Sequence, residues 1–91
     1  MNKSDLIEIL AKKHDLTLKK SEHIINHVFS EMTSALKNDD KIEIRGFGSF
    51  VVKKYKAYKG RNPKTGESIE VKEKKLPFFK VGRELKKRVD D

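Results

Sequence analysis

The sequence predicts an α+β fold, with helices first and an antiparallel sheet after, because two patterns change at the same place. Apolar residues recur at intervals of three and four up to Leu36, and alternate with polar ones from Lys41 onward. Charge shifts with them: residues 1–40 hold six basic and seven acidic side chains, residues 41–91 sixteen and seven. A near-neutral scaffold followed by a basic binding half is the implied division.

Asn2 stands at an N-cap position with Asp5 three residues on, and Leu6, Ile7, Leu10 and Ala11 follow at helical spacing, which predicts a short first helix. Thr17 caps a second. Its apolar stripe of Ile24, Ile25, Val28, Phe29, Met32, Ala35 and Leu36 is too broad for one neighbour to cover. Asn38-Asp39-Asp40 then ends the helix.

From Lys41 the period becomes two, with Ile42 and Ile44 on one face of a half-buried strand and Lys41, Glu43 and Arg45 on the other. Gly46-Phe47-Gly48 predicts a turn. Ser49 to Tyr58, rich in Phe, Val and Tyr, reads as a second, longer strand that completes a hairpin. Gly60-Arg61-Asn62-Pro63-Lys64-Thr65-Gly66 is a turn cluster, after which residues 68–72 alternate again. Leu76-Pro77-Phe78-Phe79 reads as a returning strand whose proline requires an edge or a bulge. Arg83 to Val89 has the spacing of a short basic helix with Leu85 and Val89 on its inner face.

The chain has 91 residues, 40% of them charged, with net charge +8 and pI near 9.7. A polyanionic partner is the simplest physical reason for such self-repulsion, nucleic acid before an anionic membrane. Between Lys53 and Lys64 there are six Lys or Arg and no carboxylate, interrupted by Tyr55 and Tyr58. Such a run suits reaching along a polyanion. The basic arm lacks the large apolar face that a membrane surface would need.

With no cysteine, packing alone must hold the fold. If residues 53–75 project as a ribbon, the remaining body is marginal by itself, and dimerisation through the long helix and the Phe-rich sheet relieves this. Phe47, Phe50, Phe78 and Phe79 are accordingly expected in core or interface. His14, His23 and His27 do not form a metal set, because the pair four apart on the second helix has no third ligand spaced to join it. Without a phosphate-binding glycine loop, a nucleophile elbow or a carboxylate pair in a pocket, a binding protein with no cofactor or small-molecule substrate is expected, not an enzyme. The absence of an apolar run sufficient for a signal peptide or a membrane span points to the cytoplasm or nucleoid. Composition alone leaves an RNA- or ribosome-associated basic protein as the alternative.

Ile42-Glu43-Ile44-Arg45-Gly46-Phe47-Gly48-Ser49-Phe50 and Gly60 to Gly66 together resemble the HU and integration host factor family of bacterial DNA-bending proteins, along essentially the whole chain. Glu43-Ile44-Arg45 before the glycine turn is most similar to the beta-type branch of integration host factor. The resemblance implies an intertwined dimer, with itself or with a related subunit. Residues 1–40 would form its helical base, 41–52 and 76–81 a three-stranded saddle, 53–75 a β-ribbon arm around double-stranded DNA, and 82–91 the C-terminal helix.

In that family the arm-tip proline wedges between base pairs, a place that falls to Pro63. Its ring has no N–H to satisfy and can replace a stacking partner. The resemblance further places Arg45, Arg61, Asn62 and Lys64 in or along the minor groove. Lys53, Lys54, Lys56 and Lys59 on the arm, and Lys3, Gly48, Ser49, Lys80, Arg83, Lys86 and Lys87 on the body, would meet phosphates. Glu43, two residues from Arg45 on the same strand face, is expected to hold that guanidinium in orientation, a pairing that contributes to sequence preference in the beta-type relatives. One departure is Val81, where relatives usually carry proline.

Overall fold

A computed structural model describes residues 1–91, in the order α1 (Lys3–His14), α2 (Leu18–Lys37), β1 (Ile42–Ile44), β2 (Gly48–Tyr55), β3 (Tyr58–Arg61), β4 (Ser68–Val71), β5 (Lys74–Val81) and α3 (Arg83–Val89). The α+β class holds: three helices accompany a three-stranded antiparallel sheet of order β1-β2-β5, and β3 pairs with β4 as a separate two-stranded ribbon.

The helix signals act as their chemistry dictates. Asn2 Oδ1 accepts from the Asp5 N–H, and Asp5 Oδ2 accepts from the Asn2 N–H, each at 2.9 Å, closing a reciprocal capping box. Thr17 Oγ1 caps α2 by accepting from the Lys20 N–H at 3.1 Å. Both helices end on an aspartate in the left-handed region, Asp15 at φ 52° and Asp39 at φ 61°. At the second end the Asp40 N–H donates to the Ala35 carbonyl and the Asp39 N–H to the Leu36 carbonyl, the two bonds of a Schellman motif. An aspartate occupies the place that glycine takes most easily, and its carboxylate is thereby thrown beside the sheet.

In the β1–β2 turn the Phe47 N–H donates to the Ile44 carbonyl, and Gly46 at φ +83° holds the position that favours glycine. Gly48 is buried, and a Cβ there would lie 2.5 Å from the Lys80 carbonyl oxygen and within 2.7 Å of the Phe79 ring. Phe79 packs between Phe47 and Phe50 at centroid distances of 5.5 and 4.8 Å. Pro77 sits on β5, an edge strand, as a residue without an N–H requires.

The single long strand expected over Ser49 to Tyr58 is two strands. Pairing of β2 with β5 runs out to Tyr55 opposite Lys74, stops at Lys56-Ala57 and Lys72-Glu73, and resumes as β3 with β4 from Tyr58 opposite Val71. Lys, Ala and Glu are all poor strand formers, and they meet at one level of both strands. The ribbon therefore joins the sheet through an unpaired collar.

Only Ile7 and Ala11 are buried hydrophobic residues. The radius of gyration is 19.2 Å, against about 12 Å for a compact chain of this length. Its surface of 8387 Å² compares with roughly 5,500 Å² for a globular monomer of this mass. The excess is apolar in part: Ile24, Val28 and Phe29 on α2 and Phe47 on the sheet side are 39 to 47% exposed. One chain lacks a core of its own.

Candidate nucleic-acid interface

At the ribbon tip the Asn62 N–H donates to the Glu67 carbonyl at 2.9 Å and the Gly66 N–H to the Asn62 carbonyl at 2.7 Å. The Asn62 side-chain oxygen accepts from the Lys64 N–H at 2.9 Å, an Asx turn over Pro63. Gly66 adopts φ +71°. Backbone polarity is thus largely satisfied within the loop, and Pro63, Lys64 and the Arg61 side chain stand exposed around it. The tip is a closed knuckle with a rigid ring on its crest. Lys59 on β3 and Lys56 in the collar are exposed along the approach to it.

At the base of the ribbon, neighbouring lysines have different company. Lys54 Nζ lies 3.2 Å from Asp39 Oδ2, and Lys75 Nζ, its cross-strand partner, lies 2.9 Å from Oδ1 of the same carboxylate. Lys75 also donates to the Lys37 carbonyl at 2.7 Å, a cation placed at the negative end of α2. Hydrogen bonds from Lys75 and then Lys54 hold the Asp39 carboxyl below its ordinary range. Lys53, by contrast, sits over the Phe78 ring at 3.6 Å from the centroid.

On the body, Arg45, Ser49 and Arg83 gather around one open polar depression at the β1–β2 turn, with Glu43, Gly82 and Glu84. Lys80 is the register partner of Ser49, and Lys86 and Lys87 are exposed on α3. Lys3 is exposed in the first turn of α1. Gly48 is buried, so the role visible for it is the close packing on Phe79. The expected Glu43–Arg45 pairing is not what the structure has: Glu43 Oε1 pairs with Lys41 Nζ at 2.7 Å, and that lysine holds the Glu43 carboxyl below its ordinary range. Lys41, Glu43 and Arg45 share one face at alternate positions, and the carboxylate goes to the ammonium before it, leaving Arg45 beyond the strand end.

Two functional candidates escape sequence reading, Lys75 and its counter-ion Asp39. Their signal lies in cross-strand register, which sets Lys75 opposite Lys54. An Asp39→Asn substitution releases both cations, and duplex binding at low salt and neutral pH is expected to tighten a few-fold in a fluorescence-anisotropy titration. The pH sign follows from the lowered carboxyl: the clamp is whole above the ordinary carboxylate range and is lost as pH falls through Asp39's depressed folded value. The advantage of the Asn variant is therefore expected to vanish on acidification; an advantage that persists would exclude the clamp as its cause.

No helix is long and apolar enough to cross a membrane. Residues 1–90 match the family of bacterial DNA-binding proteins. The chain is 50% identical to integration host factor subunit beta of Actinobacillus succinogenes, across 99% of this chain and 97% of that one. Among solved structures it is similar to the Anabaena HU–DNA cocrystal structure, with TM-score 0.83 and 34% identity over 98% of this chain and 97% of the other. HU from Thermotoga maritima follows the same path at TM-score 0.67 and 32% identity, with 98% of each chain covered. The likeness runs along nearly the whole chain in both sequence and fold, and this chain belongs to the HU and integration host factor family of bacterial DNA-binding proteins, which is not a family of enzymes.

Proposed function

We propose that the chain is an architectural nucleoid protein that works as a dimer, with a second copy or a related subunit, and bends double-stranded DNA through the minor groove and phosphate backbone. The observation that carries this reading is Pro63, exposed on a hydrogen-bonded knuckle at the end of a ribbon. Residues 1–40 are the dimerisation base, 41–52 and 76–81 the saddle, 53–75 the arm and 82–91 the flanking helix. The relative named integration host factor subunit beta and the HU crystallised with DNA support the partners assigned.

The mechanism is mechanical. Each arm lies in the minor groove with Arg61, Asn62 and Lys64 beside the wedge. Pro63 enters between base pairs, and its ring replaces part of the lost stacking, which costs a few kcal/mol per step. Bending a site of 20 to 30 base pairs costs on the order of 1–6 kcal/mol more. Phosphate contacts along the wrapped flanks must exceed that sum. Lys53, Lys56 and Lys59 supply them from the arm, and Ser49, Lys80, Arg83, Lys86, Lys87 and Lys3 from the body, while Arg45 reaches the minor groove and Lys54 first has to leave Asp39. Gly48 takes part through the close packing it permits against Phe79.

The test is to titrate the purified chain, its solution mass measured, against a nicked duplex with structured RNA as competitor. A mass of two chains and preference for the nicked duplex are expected. With roughly 6 to 10 phosphate contacts, affinity falls about 10³- to 10⁵-fold between 50 and 200 mM salt. Displacement of the duplex by RNA would make this an RNA-binding protein instead.

A further inference from the structure

Strands β2 and β5 send alternate side chains to two faces. Lys54 and Lys75 both reach Asp39 just past α2, and Val52 and Pro77 line a cleft with Thr33 and Leu36 of that helix. This is the inner face. The outer face therefore carries Ser49 opposite Lys80, Val51 opposite Phe78, Lys53 opposite Leu76 and Tyr55 opposite Lys74. Within the three strands its one carboxylate is Glu43 at the β1 end, already held by Lys41.

Two outer-face cations rest on aromatic rings. Lys53 Nζ is 3.6 Å from the centroid of Phe78, its diagonal neighbour across the ladder, and Lys74 Nζ is 5.9 Å from that of Tyr55. A ring attracts an ammonium through its quadrupole without cancelling the charge. A carboxylate cancels it. Lys53 and Lys54, adjacent in sequence, thus differ in what they can offer an anion. Phe78 is 41% exposed and lies on the face turned away from α2.

We infer that Phe78 is a positioning residue for DNA binding, holding the Lys53 ammonium oriented on the outer face and away from any carboxylate, and that Lys74 over Tyr55 is a second cation of the same strip. The occupant is the phosphate backbone of duplex DNA. Charge complementarity selects it: Lys80, Lys53 and Lys74 follow one another over about 20 Å of strand, and the carboxylate nearest them in sequence, Glu73, lies beyond the end of β5. This deepens the duplex-binding reading and rests on it.

The test is a double-mutant cycle in duplex affinity with Phe78→Leu, Lys53→Ala and both together, with Phe78→Tyr as the conservative variant. Phe78→Leu is expected to weaken binding roughly two- to five-fold, the range for a cation over an exposed ring. Phe78→Tyr keeps the π face and restores it, and the double variant binds no worse than Lys53→Ala alone. In the free protein, the Lys53 ε-methylene protons are expected upfield from ring current and at ordinary positions in Phe78→Leu. Should the leucine variant melt early, Phe78→Met repeats the comparison. Additive losses, or unshifted Lys53 protons in the unmodified chain, would overturn the positioning role alone; an unmodified chain that binds no duplex would overturn it together with the function it rests on.

Discussion

Pro63→Ala is expected to leave a protein that still holds duplex DNA but has lost most of the bend. The substitution is selective because the knuckle does not depend on proline for closure. Asn62 accepts from the Lys64 N–H and pairs with Glu67 and Gly66, and Gly66 supplies the left-handed turn. Arg61 and Lys64 therefore stay where they are, and the phosphate contacts proposed for the body are untouched. What disappears is the rigid ring able to stand in for a base-pair neighbour. Without it the step stays stacked, a local kink in the 20–90° range is lost, and the flanks no longer come around to the body. Affinity changes less, because the few kcal/mol of unstacking are no longer spent, and a loss of under about tenfold is expected. Energy transfer between dyes at the two duplex ends reads the bend, and anisotropy reads the affinity. An unchanged end-to-end distance would remove the wedge from the mechanism.

Phe29→Asp is expected to abolish the folded state at micromolar concentration. Phe29 is 46% exposed in the single chain and lies on the α2 stripe beside Ile25 and Met32, which are only half-buried. A chain with two buried hydrophobic residues cannot offset the entropy of ordering 91 residues, so this stripe must be covered by a partner's. Removing a large aromatic side chain from a packed interface costs about 3–5 kcal/mol. A carboxylate in its place adds desolvation, and two-fold symmetry applies both twice. That sum is comparable with the whole stability of a small domain. Light scattering is expected to give monomer mass and far-UV circular dichroism the loss of helix. Ile69→Asp, on the ribbon, is the control and leaves mass and helicity unchanged. A folded monomeric Phe29→Asp chain would show that the helices need no partner.

Pattern alone carried the architecture far because most of it is local. The capping box of Asn2 and Asp5, the Thr17 cap, the period of the α2 stripe and the glycine turn before Gly48 are all decided within a few residues of sequence, and each is found where its pattern lies. The family motif around Pro63 belongs to the same class, a turn of seven residues that forms its own hydrogen bonds. The break at Lys56-Ala57 was also written in poor strand formers. It becomes readable only when Lys72-Glu73 is known to stand at the same level on the opposite strand.

What the linear order of residues determined by itself is therefore the set of elements, the excess of positive charge and the tip that carries the proline, since these depend on near neighbours and on totals. The tertiary structure decided which charge meets which. Asp39 is 15 residues from Lys54 and 36 from Lys75, yet it holds both; Glu43 has a cation on either side and takes Lys41; Lys53 and Lys54 part company to opposite faces of one strand. Pairings of that kind follow from strand register and from where a helix stops. A charged side chain settles on the nearest opposite charge in space, and its neighbours in sequence do not say which one that is.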